Sequence, residues 1–199
     1  MSPADGKHCT SSFNSKGWQH VRLAQPKITN LENTADGIRI TWKAVAGAAK
    51  YRILVKTSDG WKTLWNTSKT SYTWTGAQSG KTYVFTVRCL SADGKYYTSS
   101  FNSTGWSRKY IDEPAISSLQ NTSSGIKLTW KTVPGAAKYK IVVKTPNTGW
   151  KTIGYTSGNT FTWTGATKGV TYTFGICCVT ADGKTHTSSF DAVGKTIKC

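Results

Sequence analysis

The sequence predicts an all-β protein built as tandem seven-stranded antiparallel β-sandwiches. A first observation is repetition, because the segment 38–51 recurs with few changes at 126–139. A second is the alternation of apolar and polar residues in short runs, which is the period of a half-buried strand. A third is spacing, since turn signals separate these runs at intervals of roughly 8–12 residues. No segment carries the period of a helix, so the pattern excludes helical fold classes.

The repeat also divides the chain into domains. Residues 4–22 match 92–110 and 181–199, so the chain opens with the end of a repeat and is expected to be a fragment of a larger protein. This partial repeat is expected to pack on the next repeat or to remain disordered, with pairing to another chain's strand edge as the alternative. The predicted domains are the C-terminal part (last loop and strand) of a preceding repeat, 1–22, and two complete repeats, 23–110 and 111–199.

Within the first complete repeat, each strand follows a turn signal and carries apolar residues at alternate positions. The first strand is expected at a sheet edge because Pro26 opens it, and proline cannot donate to a central ladder. The third strand is expected to point Arg52, Leu54 and Lys56 outward. A long loop begins at Asp93, before the last strand. The expected inward residues or strand spans, in chain order, are Ile38, Ile40 and Trp42; Tyr51, Ile53 and Val55; 61–65; Tyr72 and Trp74; Tyr83, Phe85, Val87 and Cys89; and 106–111.

The cysteines do not form the pattern of a disulfide-stabilised domain. Five are present, unevenly placed, so free thiols are expected. In the pair Cys177-Cys178, alternation places Cys178 in the core and Cys177 on the surface, with a strained vicinal disulfide as the alternative. The disulfide state of Cys9, Cys177 and Cys199 is left open by the sequence.

Several motifs resemble one known family. The strand that ends in Trp42, the following Gly-Ala-Ala-Lys-Tyr, and the segment Gly-Lys-Thr-Tyr-Val-Phe-Thr-Val are similar to fibronectin type III modules. The recurring Ala-Asp-Gly-Lys and Thr-Ser-Ser-Phe make the chain similar, more narrowly, to tandem modules of large surface proteins of gut Firmicutes. The resemblance implies an immunoglobulin-like Greek-key sandwich and a secreted or cell-surface location. It also implies that Tyr83 and Tyr172 are corner tyrosines whose hydroxyls hydrogen-bond nearby backbone.

The charge is strongly basic. Lys and Arg number 26 against 9 acidic residues, a formal charge of +17. Such a balance favours polyanions, including anionic glycans and cell-wall polymers. The alternative is a solvated, lysine-rich strand surface that discourages edge-to-edge association. The basic residues are spread over every strand, which argues against specific nucleic-acid binding, and no apolar run is long enough for membrane insertion.

Enzyme chemistry finds no support in the residue pattern. Asp5, Asp93 and Asp182 precede glycine in a repeated turn, and turn geometry accounts for them. His8 is adjacent to Cys9, but neighbouring side chains lie on opposite sides of an extended chain, so this pair does not form a nucleophile and its base. His20 lies in the same partial repeat and His186 in the last loop of the second complete repeat. We therefore expect no catalytic residues, no cofactor and no metal site.

Tryptophan gives the best functional lead. Nine are present, and Trp42, Trp74, Trp130 and Trp163 fall at inward positions. The others are expected either to seal the ends of the sandwiches or to bind a partner, because Trp and Arg dominate interface hot spots. Trp65 favours binding, since the second repeat has Gly154 there. The candidate partner-binding residues are Leu54, Lys56, Trp61, Lys62, Trp65, Trp106, Arg108 and Trp150.

Three functions follow as hypotheses. The first is a non-catalytic binding and adhesion module of a bacterial cell-surface or secreted protein that recognises a host protein. By analogy with the resembling surface proteins, immunoglobulin is one concrete partner. The second is a structural spacer between functional domains. The third is binding of an anionic glycan or cell-wall polymer, which salt would weaken steeply. A monomer is expected in each case.

Overall fold

The computed structural model describes residues 22–199, which form two β-sandwiches in succession along the chain. Each sandwich consists of a three-stranded and a four-stranded antiparallel sheet. The all-β tandem sandwich that the sequence predicts is therefore confirmed. Of the predicted partial repeat at 1–22, only Arg22 lies within the described residues.

The two sandwiches contain the same seven strands in the same order. Those of the first are β1 (Ile28–Thr34), β2 (Gly37–Trp42), β3 (Lys50–Thr57), β4 (Gly60–Thr67), β5 (Ser71–Trp74), β6 (Thr82–Leu90) and β7 (Trp106–Lys109). Those of the second are β8 (Ile116–Thr122), β9 (Gly125–Trp130), β10 (Lys138–Lys144), β11 (Lys151–Thr156), β12 (Thr160–Trp163), β13 (Thr171–Val179) and β14 (Lys195–Lys198).

Strand order is also conserved between the sandwiches. The first pairs as β1-β2-β5 and β4-β3-β6-β7, and the second as β8-β9-β12 and β11-β10-β13-β14. The outer strands β4 and β7 are thus opposite edges of one sheet. Turn glycines with positive φ allow the tight connections, as at Gly37 (φ 141°) before β2 and Gly125 (φ 127°) before β9. A Cβ at either glycine would lie about 2 Å from a carbonyl oxygen of the neighbouring strand.

Each sandwich has its own core, which contains a tryptophan–tyrosine pair. Trp42 meets Tyr51 edge to face with ring centroids 5.5 Å apart, and the equivalent rings in the second sandwich, those of Trp130 and Tyr139, are 5.3 Å apart. The hydroxyl of Tyr51 accepts a hydrogen bond from the Val45 amide at 2.9 Å. Aliphatic side chains form most of each core around this pair. The tyrosine hydroxyl is a satisfied polar atom inside the core, whereas the buried indole N–H groups of Trp42 and Trp130 have no hydrogen-bond partner among the described residues.

The corner tyrosines occupy the positions that the resemblance implies. The amide of Gln78 donates to the Tyr83 hydroxyl, and the amide of Thr167 donates to the Tyr172 hydroxyl, both at 3.0 Å. Trp74 packs edge to face on Tyr83 at 4.7 Å. The sequence predicts that Trp74 and its counterpart Trp163 lie in the core. Both are half-buried and pack against the edge of the core.

A long loop lies over the outward face of each four-stranded sheet, and it contains the recurring Thr-Ser-Ser-Phe. The amide of Cys89 donates to the Ser99 hydroxyl at 2.9 Å, and that hydroxyl donates to the Ser100 carbonyl at 2.8 Å. Two residues beyond Ser99, Phe101 meets Trp61 edge to face at 5.7 Å. The motif therefore has a structural role, in which serine fixes the loop and phenylalanine packs on the sheet.

The loops overturn two predictions about exposure. The sequence predicts Leu54 as an exposed binding residue and Cys177 as a surface thiol, but the two residues are only 5% and 1% exposed. Both lie on the outward face, as alternation requires. In the second sandwich Phe190 and Trp150 approach that face closely enough to contact any β-carbon at Gly175. Alternation assigns a side chain to one face of a sheet, and it carries no information about what covers that face.

A joint of hydrogen bonds connects the two sandwiches. The side-chain amide of Asn33 donates to the carbonyl of Lys109 at 2.9 Å and to that of Thr187 in the second sandwich at 2.8 Å. The Ser79 hydroxyl donates to the Pro134 carbonyl at 2.9 Å. The two sandwiches therefore contact each other directly, through side chains of the first and backbone of the second.

The serine of the loop is expected to stabilise each sandwich equally. Ser99→Ala and Ser188→Ala each leave a buried amide without its acceptor, since Ser188 bonds Cys178 as Ser99 bonds Cys89. We expect each to lower the free energy of unfolding by roughly 1–3 kcal/mol in urea denaturation. The exposed Ser107→Ala is the control. A loss no larger than that of Ser107→Ala would contradict the role assigned to the motif.

The buried thiols are expected to make stability fall at alkaline pH. Burial raises the pKa of Cys177 to about 11 and that of Cys178 to about 12, from an ordinary value of 9.0. Because the folded state holds these protons more tightly than the unfolded chain, the stabilisation is complete below pH 9.0 and is lost as pH rises toward 11. Denaturation at stepped pH measures the slope. Cys177→Ala should make the slope shallower, whereas Thr196→Ala, which removes no ionisable group, should retain it.

Candidate binding surface

The candidate residues do not form one continuous surface. Trp65 lies on β4 and Trp106 on β7, which are opposite edges of the same sheet. Three strand spacings, or about 14 Å, separate these edges. Trp150 belongs to the second sandwich, and Leu54 is buried. The structure therefore separates the predicted set into distinct regions.

Trp65 is the most exposed tryptophan among the residues described, with 58% of its surface accessible. It stacks on Tyr72 with ring centroids 6.5 Å apart and planes inclined by 10°. The two rings join edge strand β4 of one sheet to edge strand β5 of the other. We call this pair the aromatic shelf. A groove beside the shelf is lined by Arg39, Thr67, Lys69, Ser71 and Thr73.

A β-bulge explains why Trp65 is in this position. Ile53 pairs with Trp65 and Leu54 pairs with Thr63, so Leu64 is the extra residue between them. Because Ile53 faces the core, its partner Trp65 is turned toward the seam between the two sheets. In the second sandwich Gly154 occupies this place, and a Cβ there would lie 2.5 Å from the Phe161 ring. Only the first of the two described sandwiches therefore has the aromatic shelf.

Trp61 and Trp150 are half-buried and are packed by the loops of their own sandwiches. Trp150 meets Phe190 edge to face at 5.2 Å, as Trp61 meets Phe101. The ammonium of Lys144 lies 4.5 Å from the centre of the Trp150 ring. This packing favours the interpretation of these two residues as seals. The candidate lysines Lys56 and Lys62 are exposed on β3 and β4.

On the opposite edge, Trp106 is 40% exposed and Arg108 is half-buried. The Arg108 Nε donates to Asn33 Oδ1 at 3.3 Å. Burial lowers the pKa of the Arg108 guanidinium, and the charge of Glu32 opposes that shift. Arg108 therefore supports the asparagine of the joint, while the indole of Trp106 remains accessible.

Sequence reasoning missed a cluster of arginines on the outward face of the first sandwich. Arg52 and Arg88 are directly opposite each other on β3 and β6. The Arg88 guanidinium carbon lies 3.4 Å from the centre of the Tyr97 ring, and the Arg52 Nη1 donates to the Tyr97 hydroxyl at 3.0 Å. The sequence contained one signal for this cluster, because alternation places both Arg52 and Arg88 on the outward face of two strands that pair in the sheet. The second sandwich has Lys140 and Cys177 instead.

The acidic residues of the repeated turns serve local structure. Asp93 accepts a hydrogen bond from the Lys95 amide at 3.0 Å, and Asp182 accepts one from the Lys184 amide at 3.1 Å. A hydrogen bond from Ser91, followed by that from the Lys95 amide, lowers the pKa of Asp93. Across residues 22–199, no three or more His, Cys, Asp or Glu side chains are grouped so as to hold a metal ion. The same residues include no helix with the length and hydrophobicity to span a membrane.

Comparison with known proteins finds a family match for the first sandwich. The family model described as "Fibronectin type III domain" matches residues 24–106. The chain is similar to the solved chicken interferon gamma receptor alpha chain, at 13% identity and a TM-score of 0.45, over 88% of this chain and 98% of that one. It is also similar to a two-domain fibronectin type III segment of chicken tenascin, at 15% identity and a TM-score of 0.42, over 89% and 99% of the respective chains. No curated protein matches the chain.

Proposed function

We propose that this pair of β-sandwiches, the first of which is a fibronectin type III domain, is a non-catalytic module that binds a host protein. On this proposal the module belongs to a secreted or cell-surface bacterial protein and acts as a monomer. Immunoglobulin is the concrete partner to test first, by analogy with the gut Firmicutes surface proteins whose modules the sequence resembles. The observation that carries the proposal is the exposed aromatic shelf of Trp65 and Tyr72.

The shelf has the properties of an interface anchor. Trp65 is a rigid side chain with a large accessible area, and Tyr72 already fixes its orientation, so little conformational entropy is lost on binding. Arg39 and Lys69 border the groove beside it and can form the polar rim that surrounds a hot spot. Maintenance of the fold does not explain the shelf, because the second sandwich folds with Gly154 in that place.

The neighbouring strand edge offers a second means of contact. β4 pairs only with β3 in the four-stranded sheet of the first sandwich, so its other edge has backbone groups that can pair with a partner strand. Immunoglobulin domains are themselves sandwiches with strand edges. An edge contact beside an aromatic anchor would combine backbone affinity with side-chain specificity.

Replacement of Trp65 tests the proposal. If the shelf is the anchor, Trp65→Ala should weaken binding by about 2 kcal/mol or more, which is roughly a 30-fold rise in Kd. Biolayer interferometry of the immobilised chain against human immunoglobulin G and A, at low and at high salt, measures Kd. Tyr155→Ala is the matched control, since Tyr155 is an exposed aromatic on the equivalent strand β11.

The outcomes separate the hypotheses. Binding that survives high salt and depends on Trp65 supports recognition of immunoglobulin. Unchanged affinity in Trp65→Ala would remove the shelf from the interface. If neither immunoglobulin binds, capture from human serum and intestinal mucus, followed by mass spectrometry, tests other host proteins. An empty eluate there would leave the spacer as the better function.

The spacer alternative is favoured by the joint between the sandwiches. Asn33 connects the two by donating to Lys109 and Thr187 carbonyls at once, and Ser79 adds a bond to Pro134. A spacer keeps its two ends at a distance only if bending between its modules is restricted. The side-chain hydrogen bonds across the joint restrict that bending. Binding and spacing are compatible in one chain, so the joint does not compete with the shelf.

Asn33→Ala is expected to loosen the joint. It removes the two hydrogen bonds that the side-chain amide donates and the one that it accepts from Arg108. The range of angles between the sandwiches should therefore widen, as measured by residual dipolar couplings and small-angle scattering. Asn121→Ala is the matched control. Asn121 has the same place in the second sandwich, where it donates to Lys198 at 2.9 Å within its own sandwich. If the two variants gave the same couplings between sandwiches as the unmodified chain, the joint would not restrict bending.

The third candidate is an anionic glycan or cell-wall polymer, for which the charge of +17 is the supporting observation. Long-range attraction of this kind concentrates polyanions near the surface and weakens as salt screens it. Distributed charge alone gives no specificity.

A further inference from the structure

We propose that Arg52, Arg88 and Tyr97 form a binding site for the carboxylate or sulfate group of an acidic sugar. The site lies on the outward face of the first sandwich, whereas the aromatic shelf lies at the seam between its sheets. It is therefore independent of the protein-binding function proposed above. We call it the arginine site.

The first argument is uncompensated charge. Arg52 and Arg88 are cross-strand partners in register, and like charges directly opposite each other destabilise a sheet. Among residues 22–199, the one ion pair is that of Arg39 with Glu32, at 3.8 Å, on the other sheet. No carboxylate of the described chain therefore neutralises the arginine site. An anion between the two guanidiniums would convert their repulsion into attraction to a shared partner.

The second argument is an unsatisfied donor. The Nε of Arg88 is buried and has no hydrogen-bond partner among the described residues. Its Nη2 makes a long contact of 3.4 Å with the Ser99 carbonyl. Burial lowers the pKa of Arg88, Tyr97 opposes that shift, and the charge of Arg52 adds to it. A buried donor of this kind costs free energy unless an acceptor reaches it.

The third argument is preorganisation. The Arg52 Nε donates to Asn66 Oδ1 at 2.9 Å and its Nη1 to the Tyr97 hydroxyl at 3.0 Å. The Arg88 guanidinium stacks on the Tyr97 ring at 3.4 Å and lies 5.1 Å from the centre of Phe101. Both guanidinium groups are thus held in position before any ligand binds. A planar guanidinium can bind a carboxylate or sulfate through two parallel hydrogen bonds.

The surroundings favour a sugar as the carrier of the anion. A cavity of about 360 Å³, which is within the range of small-ligand sites, adjoins Arg88 and Tyr97 on the side away from Arg52, and Arg22 is the other cation that lines it. Its lining combines cations, aromatic rings and short hydroxyl-bearing side chains, a mixture that suits a polar ring with one acidic group. The lining residues are Arg22, Arg88, Tyr97, Thr98, Ser99, Ser100 and Phe101.

The fold does not require the arginine site, because the second sandwich lacks it. Lys140, Cys177 and His186 stand at the places of Arg52, Arg88 and Tyr97. The Lys140 Nζ lies 3.5 Å from the His186 ring, and Cys177 is buried with no charge. One molecule therefore contains both the site and its natural control.

Titration with small probes tests the proposal. Glucuronate supplies a carboxylate and glucose 6-sulfate a sulfate, while glucose is the neutral control and a tetraglutamate peptide represents an acidic protein segment. Heteronuclear NMR at constant ionic strength should show saturable shifts of the Arg88 Nε–H and of the Tyr97 ring with one or both acidic sugars. Glucose should cause none. The stronger of the two sugars identifies the anion.

Matched variants distinguish this site from general charge. Arg88→Ala should weaken binding of the acidic sugar about tenfold or more, because it removes one of two charged forks. Arg52→Lys, which keeps the charge and adopts the residue of the second sandwich, should weaken it several-fold. Lys140→Ala removes the positive charge at the place of Arg52 in the second sandwich. It should leave the affinity for the acidic sugar within twofold. Thermal melting confirms folding, and Arg88→Lys replaces Arg88→Ala if the latter unfolds.

Three results would overturn the proposal. Equal losses in Arg88→Ala and Lys140→Ala would indicate attraction by the net charge. Saturable binding of tetraglutamate at Arg88, with none of either sugar, would assign the site to an acidic protein segment. An absence of shifts at Arg88 with every probe would show that the cluster is no ligand site. None of these results bears on the Trp65 measurement, which concerns a different face.

Discussion

The hydrogen bond from the buried Cys89 amide to the Ser99 hydroxyl is the constraint on which the outward face of the first sandwich depends. It fixes a long loop over the four-stranded sheet and thereby places Phe101 on Trp61. The same loop supplies Tyr97, against which Arg88 stacks. If the loop were free, the outward face would be an ordinary solvated sheet. The bond instead gives that face a second layer, with the half-buried Arg88 beneath it.

Comparison of the two sandwiches separates what the fold needs from what varies on it. The tryptophan–tyrosine core pair, the corner tyrosine and the serine of the loop occur in both. Trp65 and Arg88, by contrast, have Gly154 and Cys177 as counterparts. Because the second sandwich forms the same strands without either residue, their presence in the first is free to serve binding.

The joint adds a different kind of constraint, because one polar side chain serves two domains. Asn33 satisfies a carbonyl of its own sandwich and a carbonyl of the next, and Arg108 holds its amide oxygen. Asn121 repeats the first of these bonds in the second sandwich. At this joint, a position that stabilises one module therefore also connects that module to the next one.

The sequence by itself determined the repeat, the strands and the core, because these depend on local alternation, turn chemistry and repetition. Its resemblance to fibronectin type III modules implied the corner tyrosines. It also pointed to Trp65 as exceptional by comparison of the repeats. Only the tertiary structure decided exposure and proximity: it buried Leu54 and Cys177, separated Trp65 from Trp106, and joined Arg88 to Tyr97. The physical reason is that a period of two assigns side chains to the faces of a sheet, whereas the covering of a face depends on loops distant in sequence.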